Sequence, residues 1–301
     1  MSFIPSYISL HKKGELSRRI RILEEFLKEC RLCPRECRVD RLNGEKGVCR
    51  AGLELMVSSA FPHFGEEPPL VGHRGSGTIF LTHCNLRCIF CQNYDISHLG
   101  RGEPMTSSDL ARLMIGLQEM GCHNINFVTP THYAPQIVSS LPEAIEKGLR
   151  LPIVYNCSGY ESTEVIQLLE GVVDIYMPDA KYMNSEYSKR FSNAPDYPEV
   201  LKRVLREMQH QVGELTTDSQ GIAEKGLLIR HLVMPHGVAS SETLLRFIAE
   251  EISVHSYVNI MDQYRPEYRA HEYPEINRRI TQEEYREAIQ WAGRYKLYRG
   301  F

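Results

Sequence analysis

Apolar and polar positions change rhythm partway along the chain. From Lys13 to Glu29 the apolar residues Leu16, Ile20, Ile22, Leu23, Phe26 and Leu27 recur at helical spacing among charges, which predicts an amphipathic helix. Cys30 to Cys49 breaks that rhythm, and Pro34, Gly44 and Gly47 imply tight loops. Phe64 to Gly77 is rich in Gly and Pro and reads as an irregular connection. Beyond it, GTIFLTH, INFVTP, LPIVYN, VVDIYMPD, LLIRHLVMP and YVNIMDQY predict six strands, each followed by a helix. The helices fall at SSDLARLMIGLQEMG, through Pro142 to Gly148, near Glu164 to Glu170, near Val200 to Gln211, and at SSETLLRFIAEEI and TQEEYREAIQWAG. This α/β order predicts parallel strands joined by right-handed crossovers. Periodicity fits an open doubly wound sheet and a partial barrel equally, and in both the chemistry belongs at the carboxyl ends of the strands. The change of rhythm divides the chain into an N-terminal helical, Cys-rich subdomain (1–76) and an α/β domain (77–301).

Composition narrows the class. The 301 residues hold 35 Lys+Arg against 38 Asp+Glu, a formal net charge of −3, which argues against a protein that grips nucleic acid electrostatically. No apolar run reaches the ~18 residues of a membrane span, and Met1 to Lys13 does not read as a signal peptide. Nine cysteines are present, seven of them in two tight groups. An odd count without a secretion signal points away from disulfides and toward metal-binding thiolates in a reducing, cytoplasmic setting.

Cys84, Cys88 and Cys91 form a C-x3-C-x2-C group at the end of the first predicted strand of the α/β domain. Three thiolates on one loop can hold three irons of a [4Fe–4S] cubane and leave the fourth without a protein ligand. That open iron accepts an amino group and a carboxylate, as when S-adenosylmethionine binds in radical enzymes. A zinc knuckle completed by His83 or a distant residue is the alternative.

The run Cys84-Asn85-Leu86-Arg87-Cys88-Ile89-Phe90-Cys91-Gln92-Asn93-Tyr94-Asp95 resembles the cluster motif of the radical S-adenosylmethionine (SAM) superfamily, with its usual aromatic at Phe90. Arg87, Asn93 and Asp95 resemble the glycyl-radical activating branch. GEEPPLVGHRGSGTIFLTHCNLRC, VTPTHY, YMPDAKY and MDQYRP resemble the pyruvate formate-lyase activating-enzyme-like proteins of unassigned substrate. The likeness runs from about Cys30 to the C terminus. It implies a partial (β/α)6 TIM-type barrel, a flavodoxin or ferredoxin as electron donor, and cleavage of SAM to methionine and a 5′-deoxyadenosyl radical that abstracts hydrogen from a substrate.

By the same resemblance, polar residues at the strand ends hold the nucleotide. Thr129 and Thr131 stand where related enzymes often carry a Gly-Gly-Glu for the methionine amino group, so their hydroxyls are substitutes by position. Asn156 and Ser158 are polar contacts or turn residues that bond the local backbone. Asp179 and Lys181 resemble an Asp-x-Lys pair in which Asp179 meets the ribose or a monovalent cation and Lys181 the methionine carboxylate; the alternative is a surface ion pair. Arg230 resembles a carboxylate-reaching Arg, and Tyr264 replaces a His that stacks on adenine, unless it belongs to the core.

Cys30, Cys33, Cys37 and Cys49 follow C-x2-C-x3-C-x11-C, a set that satisfies a tetrahedral zinc or binds an auxiliary iron–sulfur cluster. A structural staple is favoured over electron delivery or substrate docking. Cys122 and Cys157 read as packing residues, with Cys157 the better functional candidate, and His98, His123 and His236 have no assigned place. The loops Met183 to Pro198 and Tyr264 to Arg279 are candidates to read a substrate, which is a glycyl-radical protein, another peptide, an RNA or a small molecule. Arg265, Arg269, Arg278 and Arg279 meet an acidic substrate or form a solvated face. A non-catalytic zinc-binding scaffold is the competing class.

Overall fold

The computed structural model describes residues 3–301. In chain order the elements are α1 (Ser6–Lys12), α2 (Glu15–Glu25), β1 (Leu55–His63), α3 (Pro68–Val71), β2 (Ser76–Leu81), α4 (Tyr94–Ser97) and β3 (Glu103–Met105). Then follow α5 (Ser107–Glu119), β4 (Ile125–Val128), α6 (Ala134–Glu146), β5 (Ile153–Cys157), α7 (Thr163–Leu168), β6 (Ile175–Pro178) and α8 (Ser185–Ser192). The last are α9 (Tyr197–Val212), β7 (Thr216–Thr217), β8 (Ala223–Leu232), α10 (Ser241–Phe247), β9 (Tyr257–Met261) and α11 (Gln282–Arg294).

All six predicted strands form. They pair in parallel in the order β2-β4-β5-β6-β8-β9, the sequence of a partial barrel. Their helices start where the chain supplies caps: Thr106 and Asp109 close a capping box on α5, and Thr281 and Glu284 do so on α11. The predicted helix at Lys13–Glu29 is shorter than its apolar pattern: α2 starts after left-handed Gly14, which separates it from α1, and stops at Glu25, leaving Phe26 and Leu27 in turns.

Three strands, β1, β3 and β7, have no counterpart in the apolar pattern. β1 runs antiparallel to β2, and β3 antiparallel to β1, so residues before position 77 supply part of the sheet as well as the cysteine loops. The Gly/Pro-rich connection also has structure. Pro68 starts α3, whose Leu70 is fully buried against Val154, Ile175, Met177 and Leu228. These are inward-facing residues of β5, β6 and β8, so α3 plugs the amino end of the barrel. Among the described residues no helix is long and apolar enough to cross a membrane.

Candidate active site

Residues that alternate along the parallel strands point into the barrel. Phe80 of β2, Val128 of β4, Asn156 of β5, Arg230 and Leu232 of β8, and Asn259 and Met261 of β9 share one cavity of about 470 Å³. Continuing the same parity past the strand ends brings in Ser158, Asp179, Lys181 and Gln263.

Cys84, Cys88 and Cys91 form the carboxyl-end wall of that cavity, with Phe90 and Asn93 between and beside them. His83 and Arg87 take left-handed conformations on either side of Cys84, with φ of 67° and 55°, and so wind the loop tightly. Hydrogen-bond donors surround the sulfurs. The Ser192 hydroxyl donates to Cys88 Sγ at 3.1 Å, Ser97 Oγ lies 3.1 Å from Cys91 Sγ, and the backbone amides of Leu86 and Arg87 face Cys84. Without metal, burial pushes the Cys84 thiol up to about 12, so these donors are suited to a sulfur held as a ligated thiolate. Among the described residues no three His, Cys, Asp or Glu side chains form a single-ion shell.

The two loops expected to read a substrate each hydrogen-bond to this cysteine loop. The Ile89 amide donates to the Phe191 carbonyl at 2.9 Å, and the Arg269 amide donates to the Ile89 carbonyl at 2.9 Å. Arg269 and Arg278 are themselves engaged with Glu272 and Glu284, each at 2.7 Å, as on a solvated face.

Asp179, Lys181 and Arg230 are brought together inside the cavity, not at the surface. Lys181 Nζ donates to Asp179 Oδ2 at 2.7 Å, and Arg230 Nε donates to Asp179 Oδ1 at 2.7 Å. Burial alone would raise the Asp179 carboxyl, but the charges of Arg230 and Lys181 outweigh it and hold it at about 2. Arg230 Nη2 donates to Asn156 Oδ1 at 2.9 Å, and Nη1 reaches Glu66 Oε2 at 3.2 Å. Gly159 has a φ of 73°, and a Cβ there would stand 2.6 Å from Leu201 Cδ1 and 3.1 Å from the Asp179 carbonyl oxygen, so the turn beside Ser158 requires glycine.

Thr129 also lines the cavity, with a φ of 62°. Thr131 and Tyr264 do not, which corrects the expectation for both. The chain turns at Thr129 into a short 3-10 segment, and Thr131, fully buried, donates to Glu161 Oε1 at 2.9 Å. Tyr264 follows inward-facing Gln263 and so points outward; its ring packs on Phe90 at 5.8 Å and its hydroxyl donates to the Ile276 carbonyl at 2.7 Å. Cys157 reaches the cavity wall, while Cys122 is buried away from it. His98 is buried against Tyr268, with Nδ1 2.9 Å from Ser97 Oγ.

Sequence reasoning missed Glu66, Glu67, Asn259 and Gln263, all of which line the cavity. Two signals were present: paired carboxylates inside GEEPP, and a lone amide in the apolar strand YVNIM.

The first cysteine group packs behind the second. Cys30, Cys33 and Cys49 are buried, Cys37 is partly so, and the electrostatic influence of the other three thiols reaches Cys33. The Val48 amide donates to Cys37 Sγ at 3.3 Å, and a Cβ on Gly47 would lie 2.7 Å from that sulfur, so only glycine fits. Arg35, inside this group, reaches across to the other. It donates to the carbonyls of Asn85 at 3.0 Å, Leu86 at 3.3 Å and Ser192 at 2.7 Å, and to that of Asn193.

A partial barrel with three cysteines at the carboxyl end of its first parallel strand defines a class, and residues 78–219 match the radical SAM superfamily. The chain belongs to that superfamily, whose members use a [4Fe–4S] cluster and SAM to begin radical chemistry. It is 36% identical over 296 residues to the uncharacterized protein MJ0674 of Methanocaldococcus jannaschii, covering 95% of this chain and 80% of that one.

Proposed function

We propose that this chain is a radical SAM enzyme in which Cys84, Cys88 and Cys91 ligate the cluster and the interior of the barrel holds SAM. One observation carries the reading: the three thiols and the Asp179–Lys181–Arg230 network line one cavity. When bound, the cluster supplies the electron that cleaves SAM to methionine and a 5′-deoxyadenosyl radical. Lys181 offers its remaining N–H donors to the methionine carboxylate, and Asp179, held ionised, orients Lys181 and Arg230 and faces the ribose. Asn156, Ser158 and Thr129 add polar contacts, and Phe90 packs under the cysteine loop and excludes water. A flavodoxin or ferredoxin provides the electron.

The substrate class we favour is a glycyl-radical protein, on the likeness of the Arg87, Asn93 and Asp95 positions to the activating branch. Cys30, Cys33, Cys37 and Cys49 are assigned a structural zinc or a second cluster, on their spacing; backbone amides directed at the sulfurs of Cys33, Cys37 and Cys49 suit thiolate ligands. Anaerobically reconstituted, dithionite-reduced protein is expected to form 5′-deoxyadenosine from SAM, and Cys88→Ala is expected to abolish it. A wild-type protein with a full complement of iron that forms none would sink the reading.

A further inference from the structure

The barrel interior is layered. The cysteines lie at the carboxyl end, the Asp179–Lys181–Arg230 network comes next, Glu66 and Glu67 lie beyond it, and Leu70 closes the amino end. His63 pairs with Ser76, the first residue of β2, which places the Gly65–Pro68 loop at the amino end of the barrel and fixes this order.

Carboxylates outnumber cations around the Glu66–Glu67 layer: Asp179, Glu66 and Glu67 face Lys181 and Arg230, and the buried Asn126 amide stands beside Glu66. A single nitrogen, Arg230 Nη1, serves both Glu66 Oε2 at 3.2 Å and Glu67 Oε1 at 3.7 Å. Asn259 Nδ2 donates to Glu67 Oε1 at 3.0 Å, and His63 Nδ1 stands 3.7 Å from Glu66 Oε1. Glu67 is only 4% exposed, yet its Oε2 is buried without a partner. Ser158, 8% exposed, also holds a buried, unpartnered hydroxyl and lines the same cavity. A buried carboxylate oxygen with no donor is costly, and the cavity beside it is where a donor would arrive.

We propose that Glu66 and Glu67 are the substrate-reading floor of the cavity and select a group that carries positive charge, an alkylammonium or a guanidinium. The inference rests on the radical SAM reading and adds to it the charge of the group that the floor would hold. An anionic group would meet Asp179, Glu66 and Glu67 across one shared guanidinium. A neutral group would leave the demand for charge unmet. Burial, with the neighbouring Glu67 and Asp179 charges adding to it against Arg230 and the Asn126 amide, raises the Glu66 carboxyl to about 7, in keeping with that demand. A bound cation would ionise it and release a proton.

The test uses reconstituted full-length protein with SAM bound, titrated anaerobically at pH 7 with n-butylamine, butylguanidine or butyrate. Calorimetry in buffers of different ionisation enthalpy reads affinity and proton release together. Both cations are expected to bind with proton release and butyrate not to bind. Glu67→Gln is expected to weaken the cations at least tenfold, and Glu66→Gln to remove the proton release, in variants whose circular dichroism and iron content match the wild type. Butyrate binding as well as the cations, or cations failing to bind wild-type protein that binds SAM, overturns the floor whether or not the variants fold. 5′-Deoxyadenosine measured on the same wild-type sample separates the two ideas. Its absence sinks the radical reading, and its presence without cation binding sinks the floor alone.

Discussion

Arg35 is a single side chain on which both cysteine groups depend, and Arg35→Ala tests that dependence. Its guanidinium serves four carbonyls: Asn85 and Leu86 in the loop that carries Cys84 to Cys91, and Ser192 and Asn193 at the end of α8. A hydrogen bond from a charged donor is worth about 1.5–3 kcal/mol net in a protected setting. Arg35 is half-buried and water would reach some of the freed carbonyls, so about 1 kcal/mol for each is the fitting figure. The alanine variant should therefore lose about 3–4 kcal/mol in urea unfolding. Ser192 also donates to Cys88 Sγ, so loosening the end of α8 removes a donor from a proposed cluster ligand. Iron content after anaerobic reconstitution should then fall below that of wild type. Arg35→Lys should recover only part of the stability, because one ammonium cannot span acceptors that a planar fork reaches together. Wild-type iron content and stability in Arg35→Ala would refute the coupling.

Other expectations follow from single contacts. Glu161, 2% exposed and without a counter-charge, is raised from its ordinary 4.5 to about 7 by burial. The folded state then binds more protons than the unfolded one between those values, so stability falls as pH rises from ~4.5 through 7. At ~1.4 kcal/mol per tenfold change in acidity, the loss approaches about 3 kcal/mol. Glu161→Gln should flatten that slope in urea midpoints taken from pH 5 to 8, and a wild-type-minus-variant difference independent of pH would count against it. Lys181→Met should raise the Kd for SAM roughly 10- to 100-fold, the worth of one charge-assisted bond, in equilibrium binding to the anaerobic holo-protein. An unchanged Kd would remove Lys181 from the proposed site. Gly47→Ala should lower the melting temperature and the metal content of the first cysteine group, because its Cβ would lie 2.7 Å from Cys37 Sγ; metal analysis of the purified variant decides.

The parallel strands were legible because each is a short apolar run bounded by polar turns, and tertiary pairing kept those runs. Asn156 and Ser158 were legible as polar residues at a strand end, and Asp179, Lys181 and Arg230 through their resemblance to the activating enzymes; all five line the cavity. The alternation could also have shown that Tyr264 points away, because Asn259, Met261 and Gln263 already occupy the inward parity. Thr131 was not legible: the left-handed turn at Thr129 redirects the chain, and no period announces it. β1 was hidden by its mixed sequence LMVSSAFPH, which forms a strand through pairing with β2 and β3. Glu66 and Glu67 looked like loop carboxylates because only the fold brings them beneath Arg230, more than 160 residues along the chain.

The partners of Arg35 also set a timetable. Arg35 precedes Asn193 by 158 residues, so at translation rates of about 5–20 residues per second roughly 10–30 s separate the emergence of the guanidinium from that of its last acceptor. Until then the segment holding Cys84, Cys88 and Cys91 also lacks the Phe191 carbonyl that receives its Ile89 amide, although all seven clustered cysteines have left the ribosome. Metal loaded during synthesis would meet an incomplete radical SAM site, with the thiols of the first cysteine group able to compete for it. A chain of this design favours receiving its cluster after α8 has folded, when Arg35 already fixes the two cysteine groups against one another.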